Sequence, residues 1–124
     1  LQTKTRLQYK WTMVSERLIF PDTPGLGTFY VGNGADYYQF GSNDTLEINM
    51  AGTGGLPTTP FFSKFRYSLP NNSTLLLDAA PNTPIQIREL TDHLLVFSNA
   101  ISYTHHENGT VTVYNGTRLD SLKK

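Results

Sequence analysis

Residues 36–50, which read DYYQFGSNDTLEINM, constrain the fold most because they contain a complete hairpin pattern. Tyr38 and Phe40 lie in a run of aromatic residues that favours a strand. Residues 41–44 are Gly, Ser, Asn and Asp, the types that reverse a chain. Leu46 then opens an alternation of apolar and polar residues, which indicates a strand with one buried face. We predict a hairpin in which Tyr38 and Phe40 share a face with Leu46.

Period-two alternation recurs along the rest of the chain, without a helical apolar pattern of ten residues or more. Further strands are predicted at residues 7–19, 28–31, 61–69, 75–77, 85–89 and 94–105, and from 111 to 115. Turns are predicted at residues 21–25, 70–73, 79–84, 90–93 and 106–109. Residues 51–60 are rich in Gly and Pro, and we expect a loop there that could act as a flap. Asn99 interrupts an apolar face and is a candidate bulge.

About eight or nine short strands joined by turns favour an antiparallel meander, which removes its edges by closing on itself. We therefore expect an all-β fold with a single domain over residues 1–124, a small up-and-down β-barrel. A two-sheet β-sandwich is the alternative. Inward side chains are expected at odd-numbered positions of strands one, five, six, eight and nine, and at even-numbered positions of the central hairpin. An edge strand could also join two copies, so the oligomeric state is left open.

Charge and composition exclude several classes of site. Ten basic and ten acidic residues give no net charge, which argues against a nucleic-acid-binding surface. The absence of Cys excludes disulfides, thiolate nucleophiles and Cys-ligated metals. No apolar run reaches the roughly 18 residues that a membrane-spanning helix needs. Because the chain opens at Leu1 without Met, we expect that a targeting segment of a longer precursor was removed.

The residues that could support catalysis or metal binding do not form a recognisable pattern. Adjacent residues of a strand point to opposite faces, so His105 and His106 are not expected to share a metal ion. No Gly-x-Ser-x-Gly elbow is present. Asp36 and Glu47 are expected to face opposite sides of the sheet. We therefore expect no enzyme, no cofactor and no metal, with a hydrolase as the alternative if an acid–base pair with shifted pKa values lies in a cleft.

Inward aromatic residues are the one feature of the sequence that suggests a ligand. An eight-stranded barrel is either filled by its side chains or holds one small ligand. The many large residues favour a filled core, whereas Tyr hydroxyl groups facing a cavity would supply polar contacts to a ligand. The candidate ligand-binding residues are Trp11, Tyr38, Phe40, Tyr67, Phe97 and Tyr103.

The order of the motifs also resembles a known family. Lys10-Trp11 is followed by the aromatic strand and polar turn of residues 36–46, by short strands at 67–69 and 75–77, and by IRELTDHLLVF at 87–97. This order is similar to that of the lipocalin-like domains of secreted Bacteroidetes lipoproteins, over residues 7–113. True lipocalins carry Gly two residues before the first-strand Trp, where this chain has Tyr9.

The resemblance implies a small antiparallel barrel with no established activity. It also implies an extracytoplasmic location, in the periplasm or at the cell surface, with membrane contact only through a removed N-terminal lipid anchor. On this basis we expect a non-enzymatic lipoprotein domain whose candidate partner is a small hydrophobic or aromatic ligand. The alternative is a structural or protein-interaction module with a filled core.

Overall fold

The computed structural model describes residues 2–32, 34–50 and 61–124, and these form one antiparallel sheet that closes on itself. The elements are α1 (Gln2–Leu7), β1 (Lys10–Ile19), a single 3-10 turn (Pro24–Leu26), β2 (Thr28–Val31), β3 (Tyr37–Phe40), β4 (Thr45–Met50), β5 (Phe61–Asn71), β6 (Thr74–Leu77), β7 (Ala80–Leu90), β8 (Leu94–Glu107) and β9 (Thr110–Lys123). Pairing of β1 with β9 closes a ring of eight strands, and β2 is an additional strand on β1. The predicted barrel is therefore confirmed, in place of the sandwich.

The central hairpin forms as predicted. Phe40 pairs with Leu46 and Tyr38 with Ile48, so these four side chains share the inner face. The connection occupies residues 41–44. Asp44 adopts a positive φ of 63°, a conformation that Asp tolerates better than most residues.

One edge of β1 is shared by two strands. On this edge, β3 pairs with residues 10–12 and β2 pairs with residues 15–18. On the opposite edge, β9 pairs with β1 from Thr12 to Ile19. The chain crosses from β2 to β3 at the point where β1 bulges. There the Gly32 N–H donates to the Val14 carbonyl oxygen at 3.0 Å, and the Met13 N–H donates to the Asp36 carbonyl oxygen at 2.8 Å.

The bulge in β1 changes which residues face inward. Met13 pairs with Leu122 and Ser15 pairs with Ser121, so Val14 is an extra residue in the ladder. Beyond it the buried positions are Glu16 and Leu18 instead of the odd-numbered residues that we expected. The expected odd parity of the first strand is thus wrong after Met13. It is also wrong for the last strand, whose even-numbered residues Asp120 and Leu122 face inward.

Helix α1 covers one end of the barrel. The Lys4 ammonium pairs with Asp44 in the β3–β4 turn, and the Thr3 hydroxyl donates to the backbone of the β5–β6 turn at 3.2 Å. Leu7 is fully buried, and its carbonyl oxygen accepts a 3.0 Å hydrogen bond from the Trp11 indole N–H. The prediction of a strand from residue 7 was wrong because a six-residue helix is too short to produce a readable apolar period.

The apolar core fills the half of the barrel next to this helix. Its fully buried members are Leu7, Trp11, Leu46, Leu75, Leu95 and Leu122. Connections of a meander alternate between the two ends of a barrel. The β6–β7 and β8–β9 connections therefore lie at the opposite end, which α1 does not cover.

Two further expectations need correction, and β7 contains a second irregularity that the sequence did not indicate. Residues 80–84 belong to β7 and form an irregular stretch between the Leu77–Ala80 and Leu75–Ile85 pairs, where the two prolines need no ladder donor. A second register shift lies between Ile87 and Glu89, so Glu89 is exposed. No bulge occurs at Asn99, because β8 and β9 pair without interruption along the whole hairpin.

The β8–β9 hairpin extends beyond its neighbours as a two-stranded ribbon, residues 99–116. In the described part of the chain, β7 pairs with β8 only as far as Ser98, and β1 pairs with β9 only from Thr117 onward. Asn108 and Gly109 have φ of 49° and 77°, the type I′ turn that their sequence predicts. The predicted flap at residues 51–60 lies outside the described residues.

Candidate functional site

In the described part of the chain, the half of the barrel away from α1 contains a cavity of about 370 Å³. Much of its wall is apolar and comes from β3–β8, and this part of the lining is Tyr38, Ile48, Met50, Phe61, Phe65, Leu77, Ile85 and Phe97. The volume lies within the usual range of small-molecule sites. The sequence favoured a filled core, but the described side chains fill only the half of the interior next to α1.

A charged wall faces this apolar lining. Glu16 on β1 pairs with Asp120 on β9, and Arg118 lies two residues before Asp120 on the same inner face. Glu16 and Asp120 are only 5% and 4% exposed. Nε of Arg118 is 2.9 Å from Oε1 of Glu16, and the contact is an ion pair without the alignment of a hydrogen bond.

The two carboxyl groups are incompletely satisfied. Among the described residues, no hydrogen-bond donor reaches Oε2 of Glu16 or Oδ1 of Asp120. A buried polar atom without a partner costs free energy and calls for an explanation. Both side chains line the cavity, so a molecule in the cavity lies next to these groups.

Burial shifts the protonation of the charged wall. It raises the pKa of Asp120 to about 7, with a further increase from Glu16 and an opposing effect of Arg118. Burial also raises the pKa of Glu16, and Arg118 opposes this change. The pKa of the Tyr38 hydroxyl is raised by burial, so this group is a neutral donor or acceptor at physiological pH.

Two of the six sequence-predicted ligand residues lie in the cavity wall. Tyr38 and Phe97 line it, with ring centroids 5.9 Å apart. Trp11, Phe40 and Tyr67 are instead buried in the core cluster. The part of these residues in ligand binding stays a prediction.

Tyr103 is separated from the other candidate residues. It lies on the ribbon, is 47% exposed and stacks on Tyr114 at 6.1 Å between centroids. It continues the inner face of β8 past the rim of the barrel but does not line the cavity.

Sequence reasoning missed Glu16, Arg118 and Asp120. The predicted last strand ended near residue 115, whereas β9 continues to Lys123. Alternation rules assign charged residues to the outer face of a sheet, so these rules do not predict a charged inner wall. The useful signal is that acidic and basic residues of β1 and β9 lie next to each other on the inner face. This signal can be recognised only when the register shift at Val14 is known.

The other candidate groups do not assemble into a site. Asp36 is buried and accepts a hydrogen bond from the Tyr30 hydroxyl, whereas Glu47 lies on the outer face and accepts one from Tyr37 at 2.6 Å. Across residues 2–32, 34–50 and 61–124, no three His, Asp or Glu side chains gather as metal ligands. No helix within these ranges is long and apolar enough to cross a membrane.

Comparisons with known proteins bear on the fold. No protein-family model matches the sequence, and no curated protein matches it. Among solved structures, the bovine lipocalin allergen Bos d 2 is similar with a TM-score of 0.52 and 10% identity, over 98% of this chain and 74% of that chain. The structure titled "The Siderocalin Ex-FABP functions through dual ligand specificities" gives a TM-score of 0.46 and 12% identity, over 94% and 73%. With its closed eight-stranded barrel and its similarity to the bovine protein, this chain has a lipocalin-like fold.

Proposed function

We propose that this chain is a binding domain that holds one small, largely apolar molecule in the half of its barrel away from α1. The observation that carries the proposal is the cavity of about 370 Å³, with its apolar lining and single charged wall. Small-molecule sites combine an apolar surface with a few convergent polar groups in this way. The lipocalin-like fold is consistent with such a role but does not by itself assign one.

The arrangement of the core supports this proposal. Helix α1 and the large buried side chains close one end of the barrel, so the cavity has a floor at that end. Phe97 is almost fully buried and contributes to both the core and the cavity wall. A ligand would therefore rest on side chains that are already packed in the core, which limits the reorganisation that binding requires.

A matched pair of substitutions tests the proposal. Ala80 lines the cavity, whereas Ala100 is exposed on the outer face of the ribbon. Binding of the neutral fluorescent probe N-phenylnaphthylamine is titrated against wild type, Ala80→Trp and Ala100→Trp. We expect binding to wild type and to Ala100→Trp, and a loss of at least about tenfold in affinity for Ala80→Trp.

Equal probe binding by the two variants would place the probe outside the cavity and contradict the proposal. Native mass spectrometry of protein purified without denaturation gives a second measurement. A mass adduct that is present in wild type and absent in Ala80→Trp would begin to identify the natural ligand.

The family and the location are part of the same proposal. The motif order over residues 7–113 supports membership of the lipocalin-like domains of secreted Bacteroidetes lipoproteins. We propose an extracytoplasmic domain whose precursor carries its lipid anchor before residue 1. Fractionation of cells that express the natural precursor, together with metabolic labelling by a fatty acid, tests this proposal, and recovery of an unlabelled protein in the cytoplasm would contradict it.

A hydrolase is a second candidate function, favoured by one observation. Glu16 and Asp120 line the same cavity, and both have a raised pKa, as the acids of catalytic pairs do. Turnover of nitrophenyl esters and glycosides that Asp120→Asn abolishes would support this candidate.

The interaction-module alternative rests on the exposed Tyr103 and Val113 of the ribbon, and a wild-type protein that binds no cavity probe would favour it.

A further inference from the structure

We infer that the molecule held in the cavity carries a protonated amine, which sits against Glu16 and Asp120 while its apolar body lies against the opposite wall. The inference rests on the proposed function and specifies the chemical class of the ligand. It follows from three properties of the charged wall: its net charge, its unpaired acceptor atoms and the aromatic rings beside it.

Charge favours a cation. The described groups of this wall are two carboxyl groups and one guanidinium group, and Arg118 is already in contact with Glu16. When both acids are ionised, the wall carries one negative charge in excess. A ligand carboxylate would add to this excess in a poorly solvated place, whereas an ammonium group would neutralise it.

Hydrogen bonding gives the same answer when the two acids are ionised. Oε2 of Glu16 and Oδ1 of Asp120 have no donor among the described residues. An ionised carboxylate oxygen only accepts hydrogen bonds, so the missing partner must be a donor. An ammonium group has three N–H donors and no acceptor, whereas an ionised ligand carboxylate has none to offer.

The aromatic surroundings suit a positive charge. Phe97 pairs directly with Asp120 across the β8–β9 ladder, so the two side chains are neighbours on the inner face. The ring of Tyr38 packs against that of Phe97 with centroids 5.9 Å apart, and both line the cavity. Aromatic faces attract cations, most strongly where water is excluded.

A series of ligands with one apolar body and different heads tests the inference on the wild-type protein. Phenylbutylamine, phenylbutanol and phenylbutyrate are titrated by calorimetry and by displacement of N-phenylnaphthylamine at about pH 8, where Asp120 is mainly ionised. We expect the amine to bind at least about tenfold more tightly than the alcohol, and the carboxylate to bind most weakly.

Paired substitutions with equal changes in charge locate the head group. Asp120→Asn and Glu16→Gln change the cavity wall, whereas Asp92→Asn and Glu89→Gln change exposed acids. We expect each cavity variant to lose about tenfold in affinity for the amine while its affinity for the alcohol stays within about twofold. The exposed variants should match wild type for all three compounds.

The outcomes separate this inference from the proposed function. If the alcohol or the carboxylate binds as tightly as the amine, the inference is overturned and the cavity function stands. If the probe binds in the cavity but the amine does not displace it, the inference is likewise overturned and the proposed cavity function stands. A protein that binds neither probe nor any compound contradicts the proposed function itself. The ligand series uses wild type alone, so a variant that fails to fold leaves the test intact.

Discussion

Arg118 forms its ion pair with Glu16: its Nε lies 2.9 Å from Oε1 of Glu16, while Oδ1 of Asp120 stays without a hydrogen-bond donor among the described residues. The barrel therefore keeps one excess acid against its cavity. Since an unpaired buried carboxyl group weakens a fold, this arrangement makes specific predictions about stability.

Replacement of Asp120 by Asn should stabilise the protein at alkaline pH. The pKa of Asp120 is about 7 in the folded protein, against 3.8 for an unperturbed Asp. Between about pH 4 and pH 7 the folded state holds a proton that the unfolded state releases, so the free energy of unfolding falls as pH rises through this window. Asn does not titrate. We expect Asp120→Asn to exceed wild type by about 2–4 kcal/mol at pH 8, and by much less at pH 4.

Urea denaturation at a series of pH values measures this difference. Asp92→Asn, at an exposed position, is the control and should follow the wild-type pH profile. A difference between Asp120→Asn and wild type that does not change with pH would show that the pKa of Asp120 is the same in the folded and the unfolded protein, which would contradict the raised pKa.

Removal of the Arg118 charge should destabilise the protein. In Arg118→Met the buried Glu16 loses its countercharge, and we expect a loss of about 2 kcal/mol at neutral pH, moderated by the partial exposure of Arg118. The exposed Lys64 lies 3.7 Å from Glu47, so Lys64→Met should cost less than about 1 kcal/mol. In Glu16→Gln/Arg118→Met much of the loss should be recovered. Equal effects of the two single Met variants would contradict the internal ion pair.

A side chain at position 116 should disrupt the junction of β1 and β9. A Cβ atom on Gly116 would lie 2.5 Å from the Ile19 carbonyl oxygen and 2.7 Å from the Phe20 ring. We expect Gly116→Ala to lower the free energy of unfolding by about 2–3 kcal/mol, because the backbone at Ile19 or at residue 116 must move to make room. A Cβ atom on Gly25 would meet no other atom within 4 Å, so Gly25→Ala should stay within about 0.5 kcal/mol of wild type. Thermal denaturation of both variants and of wild type measures these differences.

Truncation of Leu7 should loosen the closed end of the barrel. Leu7 is fully buried and its carbonyl oxygen accepts the Trp11 indole hydrogen bond, so Leu7→Ala should cost about 2–4 kcal/mol. Trp11 is the only Trp, and its fluorescence should shift to longer wavelength as water reaches it. Leu76→Ala, at a half-buried position of β6, should leave the emission unchanged. An unshifted spectrum in Leu7→Ala would mean that α1 does not protect the core.

Local patterns predicted the parts of the fold in which chemistry and geometry agree. The turn at residues 41–44 and the Asn108-Gly109 turn have residues suited to their backbone conformations, and both hairpins form as predicted. The regular alternation of the central hairpin also placed Tyr38 on the inner face and, with it, in the cavity wall.

The charged wall could not be predicted for a physical reason. An alternation rule assumes an unbroken ladder and apolar inward residues, and β1 violates both assumptions at Val14 and Glu16. The register between β1 and β9 joins opposite ends of the chain, and no local pattern specifies it. Departures from local rules tend to mark functional positions, and this one places Glu16 beside Asp120 in the wall that we propose for ligand binding.

The division of one barrel edge between β2 and β3 has a consequence for engineering. Both strands lie against the same side of β1, and the chain leaves the wall between them, where Gly34 and Ala35 are exposed. Buried Tyr30 and Asp36 join the two sides of this crossing through a hydrogen bond. A guest sequence inserted between residues 34 and 35 would therefore lie at an exposed position between two strands, and the number of strands in the barrel would stay unchanged.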